Sequence, residues 1–131
     1  MCVANSARSQ MAEGIAEKFF GNRAWVESAG SKPKNVNPYA IQTLNEMGID
    51  ISNHYSKSFE QLPEDFKKDL TYVVTLCAEE VCPVVVSKTA KRIHWPHPDP
   101  AGSGSPIEQL ERFRAVRDQL VYEIEKFANE N

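Results

Sequence analysis

The sequence predicts an α/β fold, in which helices cover both faces of a small parallel sheet to form a three-layer sandwich. Three observations support this prediction. The segment Thr71–Leu76 is rich in β-branched residues and almost continuously apolar, as strands buried on both faces are. Apolar residues recur at helical spacing before it, in Ser9–Phe20, and after it, in Pro106–Ala128. Strands that alternate with helices favour parallel pairing.

A helix and a short strand are predicted after the amino-terminal loop. The helix spans Ser9–Phe20, and Gly21 suits its C-cap because glycine accepts the left-handed conformation common there. Trp25–Val26 is predicted to belong to a short strand that ends at Ser28-Ala29-Gly30. The buried side of the helix would comprise Met11, Ile15 and Phe19.

A second helix should begin at Pro38, with Asn37 as its N-cap, and stop at Gly48. Phe59–Leu70 is predicted to be a short helix or helical turn with Pro63 near its start. The buried side of the second helix would comprise Ala40, Ile41, Leu44 and Met47.

The carboxyl-terminal third should contain a strand, a loop and a long helix. The strand is Arg92–Trp95, and the loop, Pro96 to Pro106, is rich in proline and glycine. The long helix, Pro106–Ala128, carries one apolar side composed of Leu110, Phe113, Val116, Leu120, Ile124 and Phe127.

Composition favours one globular domain, residues 1–131, expected to be a monomer. The chain is 41% hydrophobic and 25% charged. Its net charge of −3 gives no reason to expect nucleic acid or an anionic membrane as a partner. We find no signal peptide and no apolar run near the roughly 20 residues needed to cross a bilayer. Three cysteines are too few for a secreted disulfide framework, so we expect a cytoplasmic protein with reactive thiols.

The amino-terminal loop has the chemistry of an oxyanion site. A cysteine and an arginine five residues apart precede a helix whose first N–H groups lack helical partners. Arginine can bind two oxygens at once, and a positive environment favours thiolate over thiol. Ser9 could donate to the sulfur and Asn5 could brace the loop. This candidate loop is Cys2, Val3, Ala4, Asn5, Ser6, Ala7, Arg8 and Ser9.

Further motifs extend this pattern over nearly the whole chain, and in this order the sequence resembles the arsenate reductases related to low-molecular-weight protein tyrosine phosphatases. The resemblance implies that family's phosphatase-like sandwich. It starts with the segment from Cys2 through Arg8 to Gly14. The other motifs are Ser28-Ala29-Gly30, Val36-Asn37-Pro38, Ile51-Ser52-Asn53-His54, Val74-Thr75-Leu76-Cys77, and Trp95 with Asp99-Pro100-Ala101-Gly102.

The resemblance implies a catalytic sequence that uses three thiols. Cys2 attacks arsenate while Arg8 and the loop amides stabilise the charge, and Asp99 is the candidate general acid. Cys77 then attacks Cys2 and releases arsenite. Cys82 attacks Cys77, which leaves a Cys77–Cys82 disulfide for an external donor to reduce.

No bound cofactor is expected. The resemblance implies that electrons come from thioredoxin. Glutaredoxin with glutathione stays open as the donor, because the spacing of Cys77 and Cys82 is shorter than in the thioredoxin-coupled members. Phosphate and sulfate are expected to compete with arsenate. The sequence alone leaves a purely structural role for Cys77 open, as a small buried residue at the end of a strand.

The sequence contains candidate ligands for two metal sites. Cys77, Cys82, His94 and His97 could bind zinc, although a His-x-x-His spacing in a proline-rich stretch is not a usual pattern. His54 is expected to be structural. Some members of the family bind potassium beside the anion loop through residues resembling Asn5, Glu13 and Ser28 and an acidic residue. Lys57 stands at the acidic position, and we expect its ammonium to replace the cation.

The resemblance also places a buried, central strand directly before the nucleophilic cysteine, whereas this sequence starts at Met1-Cys2. The expected first strand is therefore missing from the sandwich. An upstream segment, a neighbouring molecule or a gap in the fold remain open as explanations.

Two other functions are compatible with these residues. A protein tyrosine phosphatase would use Cys2, Arg8 and Asp99 without the other two thiols. A non-catalytic oxyanion-binding or redox-sensing module would use the loop alone.

Overall fold

The structure, a computed structural model, describes residues 1–78, 87 and 89–131. Cys82 lies outside these residues. Among the described residues, no helix is both long enough and apolar enough to span a bilayer. The helices and strands in chain order are α1 (Arg8–Phe20), α2 (Pro38–Asn45), α3 (Glu64–Lys68), β1 (Tyr72–Thr75), β2 (Lys91–His94) and α4 (Pro106–Glu130), with 3-10 turns at Gly21–Arg23 and Phe59–Gln61.

Strands β1 and β2 pair in parallel, from Tyr72 opposite Lys91 to Thr75 opposite His94. This confirms the α/β class and the parallel sheet predicted from the sequence. On its other edge β1 is joined by Met1, whose ammonium donates to the Val74 carbonyl and whose carbonyl accepts from the Leu76 N–H at 2.9 Å. The parallel order therefore continues past the two-stranded ladder.

Isolated parallel bridges widen this arrangement further. Cys2 bridges to Gly30, and Gly30 bridges to Ser58. Cys2 thus lies in the middle of the parallel layer, with β1 on one side and the chain around Gly30 on the other.

Apolar side chains cover both faces of β1, as its composition predicts. On one face the main core packs side chains of α1, α2 and α4 against Leu76. On the other face a smaller cluster forms around Leu70 and Val73, with Phe59 and Phe66 packed against it. The sandwich therefore has a helical layer, a parallel layer and a second, thinner layer.

Gly14 lets α1 approach the turn that follows α2. A Cβ atom at this position would lie 2.7 Å from Ile51 Cγ2 and 2.9 Å from Leu44 Cδ1, closer than carbon atoms pack. Glycine inside a helix costs backbone entropy, which this close packing offsets. The amino-terminal end of α1, which carries the candidate loop, is fixed in this way.

Helix α4 begins with a capping box, in which Ser105 accepts from the Glu108 N–H and the Glu108 carboxylate accepts from the Ser105 N–H. Its predicted apolar side is confirmed, and its buried members are Phe113, Val116, Leu120 and Ile124.

Arginines on α4 also bind the end of α2. Arg114 and Arg117 lie 2.6 and 2.7 Å from the Glu46 carboxylate. The hydrogen bond from Arg114, more than any other contact, lowers the pKa of Glu46 to about 2.

Two helical regions have boundaries that differ from the sequence predictions. Asn37 caps α2 by accepting from the Tyr39 N–H, but the α-helix ends at Asn45 because tighter turns follow and Gly48 takes a left-handed φ of 75°. The predicted helix over 59–70 is two short pieces. Leu62 is extended before Pro63, which disfavours helical backbone in the residue that precedes it.

The predicted strand at Trp25–Val26 is wrong. No ladder forms there, although the neighbouring Ala24 is extended, with φ −149° and ψ 149°. The nearest pairing begins at the Cys2–Gly30 bridge. A strand is defined by a hydrogen-bonded neighbour, and among the described residues none pairs with this segment.

Candidate functional site

The Cys2 side chain lies at the start of the loop that leads into α1. Cys2 is 2% exposed, and its sulfur lies 2.9 Å from the Ser9 hydroxyl oxygen. Asn5 Nδ2 in turn donates to that hydroxyl at 2.7 Å. The Asn5 amide therefore fixes the Ser9 hydroxyl beside the sulfur, where either of the two atoms can donate the hydrogen bond between them.

The loop carbonyls are turned away from the concave side of the loop. Those of Val3, Ala4 and Ser6 accept the N–H groups of residues 32, 34 and 37 at 2.8–2.9 Å. The carbonyl of Asn5 accepts from the Ser56 hydroxyl at 2.6 Å. With four successive carbonyls engaged on the outside, the loop can present its N–H groups on the inside, which is the geometry of an anion-binding nest.

Asn5 is the centre of this arrangement. Its φ of 49° is left-handed, a conformation that asparagine tolerates better than most residues. Its side-chain amide also donates to Ser28 at 3.0 Å, and its side-chain oxygen accepts from Gln10 and from the Lys57 N–H, each at 3.0 Å. One side chain therefore joins the loop, α1 and two distant segments.

Gly30 packs directly against the loop backbone. A Cβ atom there would lie 2.4 Å from the Val3 carbonyl oxygen, 2.8 Å from that of Cys2 and 2.9 Å from the Asn5 nitrogen. All three are backbone atoms, which cannot move aside as a flexible side chain can. A residue without a side chain is required for the loop to keep its path.

Helix α1 starts directly after the loop, with Ala7 as its N-cap residue. Alanine has no side-chain acceptor for the first helical N–H groups, and the first turn contains no acidic residue. The positive end of the helix dipole is therefore uncompensated by its own side chains, which favours a bound anion.

Arg8 is buried and reaches across to the carboxyl end of β1. Its Nη1 donates to the His97 carbonyl at 2.9 Å and to the Leu76 carbonyl at 3.5 Å. The guanidinium is thus held beside the residue that precedes Cys77.

Cys77 is 1% exposed and lies two residues after the end of β1. The opening loop and the carboxyl end of β1 are neighbours through the Met1–Leu76 hydrogen bond. Asp99 is exposed, and its carboxylate accepts from the Ala101 N–H at 3.0 Å. The structure therefore brings Arg8 to the Cys77 segment, while the Asp99 carboxylate is engaged within its own loop.

His97 and Glu123 are features that sequence reasoning missed. The His97 ring is 2% exposed, and its Nε2 lies 2.6 Å from a Glu123 oxygen, while its buried Nδ1 has no hydrogen-bond partner among the residues that the structure describes. Its backbone carbonyl holds Arg8. No local sequence pattern indicates the pairing of His97 with Glu123, because the two residues are 26 positions apart. The spacing of His94 and His97 indicated zinc instead.

The zinc alternative gains no support from the described part of the chain. His94 Nδ1 pairs with the Thr75 hydroxyl at 2.7 Å, and His97 pairs with Glu123. The group of potential metal ligands found among these residues is a different one, namely Glu13, Glu17 and His54.

Lys57 is buried beside the residues of the expected cation site. Its ammonium lies 3.5 Å from a Glu13 oxygen and 3.6 Å from a Glu27 oxygen. Glu13 also accepts from Ser28 at 2.5 Å, and Ser28 accepts from Asn5. The Lys57 ammonium therefore lies next to the hydrogen-bonded series Glu13, Ser28 and Asn5, which leads to the loop.

Glu17 lies one helical turn after Glu13, and His54 faces both, with its Nε2 3.4 Å from Glu17 and its Nδ1 3.5 Å from Glu13. His54 Nδ1 also lies 3.2 Å from the Gln10 side-chain oxygen, which gives it the structural role expected from the sequence. The pKa of Glu17 is raised to about 7, first because burial disfavours its carboxylate and then because Glu13 carries a like charge.

Comparison with known proteins agrees with this loop and fold. The profile of low molecular weight phosphotyrosine protein phosphatases matches residues 1–130. An arsenate reductase of Halalkalibacterium halodurans is 41% identical over 131 residues, which cover 98% of this chain and 91% of the relative. One of Staphylococcus aureus is 41% identical over 129 residues, with 97% and 92% covered.

Solved structures give the same result. An arsenate reductase in a phosphate-binding state has a TM-score of 0.78 and 33% identity, with 98% of this chain and 93% of that chain covered. A thioredoxin-dependent arsenate reductase of Corynebacterium glutamicum has a TM-score of 0.63 and 28% identity, with 95% and 59% covered. The chain belongs to the low molecular weight phosphotyrosine protein phosphatase family. Within that family, these relatives are arsenate reductases.

The Gly30→Ala substitution should disrupt the loop. The new Cβ must displace backbone atoms of residues 2, 3 and 5, so we expect a loss of stability of about 1–3 kcal/mol and faster alkylation of Cys2 by iodoacetamide. Urea unfolding and mass spectrometry of the alkylated protein measure both effects. Ser31→Ala, at an exposed neighbouring position, is the control and should change neither; unchanged Cys2 reactivity in Gly30→Ala would contradict the close approach.

The Glu17→Gln substitution should stabilise the protein at alkaline pH. The folded-state pKa of about 7 lies above the ordinary 4.5, so the folded state keeps a proton that the unfolded state has lost, and stability falls as pH rises between these values. Because the side chain is half exposed, solvent screening should keep the gain below about 1 kcal/mol at pH 8, and it should disappear at pH 4.

Urea unfolding at the two pH values measures this difference. Glu125→Gln, on the exposed side of α4, is the control and should show no such pH dependence. A variant less stable than the parent at pH 8 would mean that the ionised Glu17 is stabilised by its partners.

Proposed function

We propose that this chain is an enzyme that reduces arsenate to arsenite through a relay of Cys2, Cys77 and Cys82. The observation that carries the proposal is the placement of the Cys2 sulfur in a loop with outward-turned carbonyls, 2.9 Å from the Ser9 hydroxyl. Similarity to arsenate reductases over nearly the full chain supports arsenate as the substrate.

In the first step, the Cys2 thiolate attacks arsenic. A sulfur–arsenic bond forms, an arsenic–oxygen bond breaks, and the oxygen leaves as water after it has gained a proton. Loop N–H groups, the start of α1 and Arg8 stabilise the oxyanion, since all carry positive charge or partial charge. Asp99 is the proposed proton donor, and its engagement with Ala101 requires its carboxyl to turn for this role.

In the second step, the Cys77 thiolate attacks the Cys2 sulfur. A disulfide forms, the sulfur–arsenic bond breaks, and its electron pair remains on arsenic, which is reduced to arsenite. Cys77 is buried two residues after β1, and the Met1–Leu76 hydrogen bond joins this part of the chain to the loop, which supports the proposed attack. Cys82 then attacks Cys77 and frees Cys2.

The external reductant is proposed to be thioredoxin, with glutaredoxin and glutathione as the other donor. The thioredoxin-dependent neighbour of C. glutamicum supports the first. Phosphate and sulfate should compete for the loop. A cytoplasmic location and a monomeric state complete the proposal, because the relay needs reduced thiols and one copy of each residue.

A coupled assay with substitutions tests the relay. We expect the protein, with thioredoxin, thioredoxin reductase and NADPH, to oxidise NADPH only when arsenate is present. Cys82→Ser should release no more than one arsenite per enzyme, since the Cys2–Cys77 disulfide cannot then be resolved. Cys2→Ser should release none.

Hydrolysis of p-nitrophenyl phosphate is the internal control. It should survive in Cys82→Ser and disappear in Cys2→Ser, because only the first step is shared with phosphatases. A folded protein that hydrolyses this ester but oxidises no NADPH with either donor would favour the phosphatase. Absence of both activities would favour the non-catalytic module.

Potassium should not stimulate the reaction. The Lys57 ammonium lies within 3.6 Å of Glu13 and Glu27, so we expect equal rates in potassium chloride and sodium chloride at matched ionic strength. Lys57→Ala should lower stability by up to about 3 kcal/mol, because it leaves a buried carboxylate without its partner. Lys18→Ala, an exposed lysine of α1, is the control, and a selective potassium response in the parent protein would contradict the role of Lys57.

A further inference from the structure

His97 lies at a junction between helix α4 and the candidate loop. Its ring is buried, and its Nε2 lies 2.6 Å from a carboxylate oxygen of Glu123 on α4. On the backbone side, the His97 N–H donates to the Leu76 carbonyl at 3.0 Å, and the His97 carbonyl accepts from Arg8 Nη1 at 2.9 Å. One residue therefore links α4 both with Arg8 and with the segment that follows β1.

The chain around His97 has few backbone donors of its own. Residues 96, 98 and 100 are prolines, which have no N–H, and the stretch from 96 to 100 belongs to no helix or strand. Its position therefore depends on side-chain contacts more than on a ladder of backbone hydrogen bonds. Pro98 also restricts the backbone of the residue before it, so the ring and the carbonyl of His97 have few ways to move independently.

Glu123 is fixed on a well-packed part of α4. Its helical neighbours Leu120 and Ile124 are buried in the main hydrophobic core. An ionised carboxylate only accepts hydrogen bonds, so the His97 Nε2 donates to it. Among the described residues, the His97 Nδ1 has no hydrogen-bond partner, and the Glu123 contact is therefore the polar anchor of this buried ring.

Arg8 is the group that this anchor reaches. Its Nη1 donates to two carbonyls, that of His97 at 2.9 Å and that of Leu76 at 3.5 Å. The first distance is ordinary for a hydrogen bond, whereas the second is long, so the His97 carbonyl makes the stronger of these two contacts. Because the guanidinium is planar, a carbonyl that holds one of its nitrogens sets the direction in which the fork points.

The far end of the segment from residue 96 to residue 105 is held independently. Arg112 of α4 donates through Nε to the Pro100 carbonyl at 3.0 Å and through Nη2 to the Ser103 carbonyl at 2.6 Å. Loss of the Glu123 contact should therefore loosen the chain at His97 and leave residues 100–103 in place. The expected effect is local to the end of the segment that holds Arg8.

We propose that Glu123 and His97 are positioning residues for Arg8: the carboxylate fixes the buried ring, and the His97 carbonyl directs the guanidinium toward an oxyanion in the candidate loop. The affinity of the loop for a tetrahedral anion is thus set in part from α4. This inference rests on the proposed role of Arg8 in holding the substrate oxyanion, and not on the disulfide relay. Inorganic phosphate, which the loop should also bind, is therefore a sufficient probe.

The test measures how strongly inorganic phosphate protects Cys2 of the full chain against iodoacetamide, with mass spectrometry to distinguish Cys2 from the other thiols. Glu123→Ala should raise the phosphate concentration for half protection about fivefold, the effect of losing one hydrogen bond of ordinary net strength. Glu123→Gln keeps an acceptor oxygen at the same place along the side chain and should stay within about twofold of the parent. Glu125→Ala, at an exposed position of α4, is the matched control and should leave protection unchanged.

A double-mutant cycle separates the positioning of Arg8 from a general effect on the fold. Arg8→Lys keeps the positive charge but loses the planar fork, so phosphate should protect Cys2 only at higher concentration. In this background Glu123→Ala should have little further effect, because the group through which it acts has been replaced. A general loosening of the structure would instead act equally in both backgrounds. Equal factors, or no effect of Glu123→Ala alone, would overturn the proposal.

Folding and the proposed activity are checked separately. Urea unfolding confirms that each variant is folded in the assay. If Glu123→Ala is not, Glu123→Asp, whose carboxylate is one methylene too short for the 2.6 Å contact, replaces it in the same cycle. A parent protein in which phosphate does not protect Cys2 would overturn this inference together with the anion loop. If the cycle gives the expected result but arsenate causes no oxidation of NADPH, the positioning of Arg8 is supported and only the reductase proposal fails.

Discussion

The candidate site depends on one constraint, the outward turn of the loop carbonyls. Four successive carbonyls, those of residues 3–6, find partners in two distant stretches of chain, residues 32–37 and Ser56, and this leaves the opposite side of the loop to N–H groups. Gly30 permits the loop to approach closely enough for these bonds, and Gly14 fixes the helix behind it. An overall negative protein can in this way favour an anion locally, because short-range donors outweigh a weak net charge.

Local sequence signals predicted the helices well, since apolar spacing, N-caps and glycine C-caps are local properties. They also predicted the buried strand β1 from its composition. They failed at Trp25–Val26, because a strand exists only where a neighbour pairs with it. They placed Arg8, Ser9 and Asn5 in one loop, but the partners of that loop lie dozens of residues away, and single-sequence reasoning has no measure of such contacts.

The polar and charged side chains around α1 form two groups. Toward the loop, Asn5, Ser9 and Ser28 form a neutral hydrogen-bonded chain. Away from it, Glu13 and Glu17 lie one helical turn apart: Lys57 pairs with Glu13, and the pKa of Glu17 is raised to about 7. Separation of the two groups keeps carboxylates out of contact with the anion loop, where they would repel a substrate of the same sign.

Leu76 is tethered by hydrogen bonds on both sides, directly before Cys77. Its N–H donates to the Met1 carbonyl, and its carbonyl accepts from the His97 N–H, at 3.0 Å, and from Arg8. In the proposed relay, motion of Cys77 toward Cys2 would therefore have to pivot after Leu76, and Arg8 would keep its place while Cys77 moved.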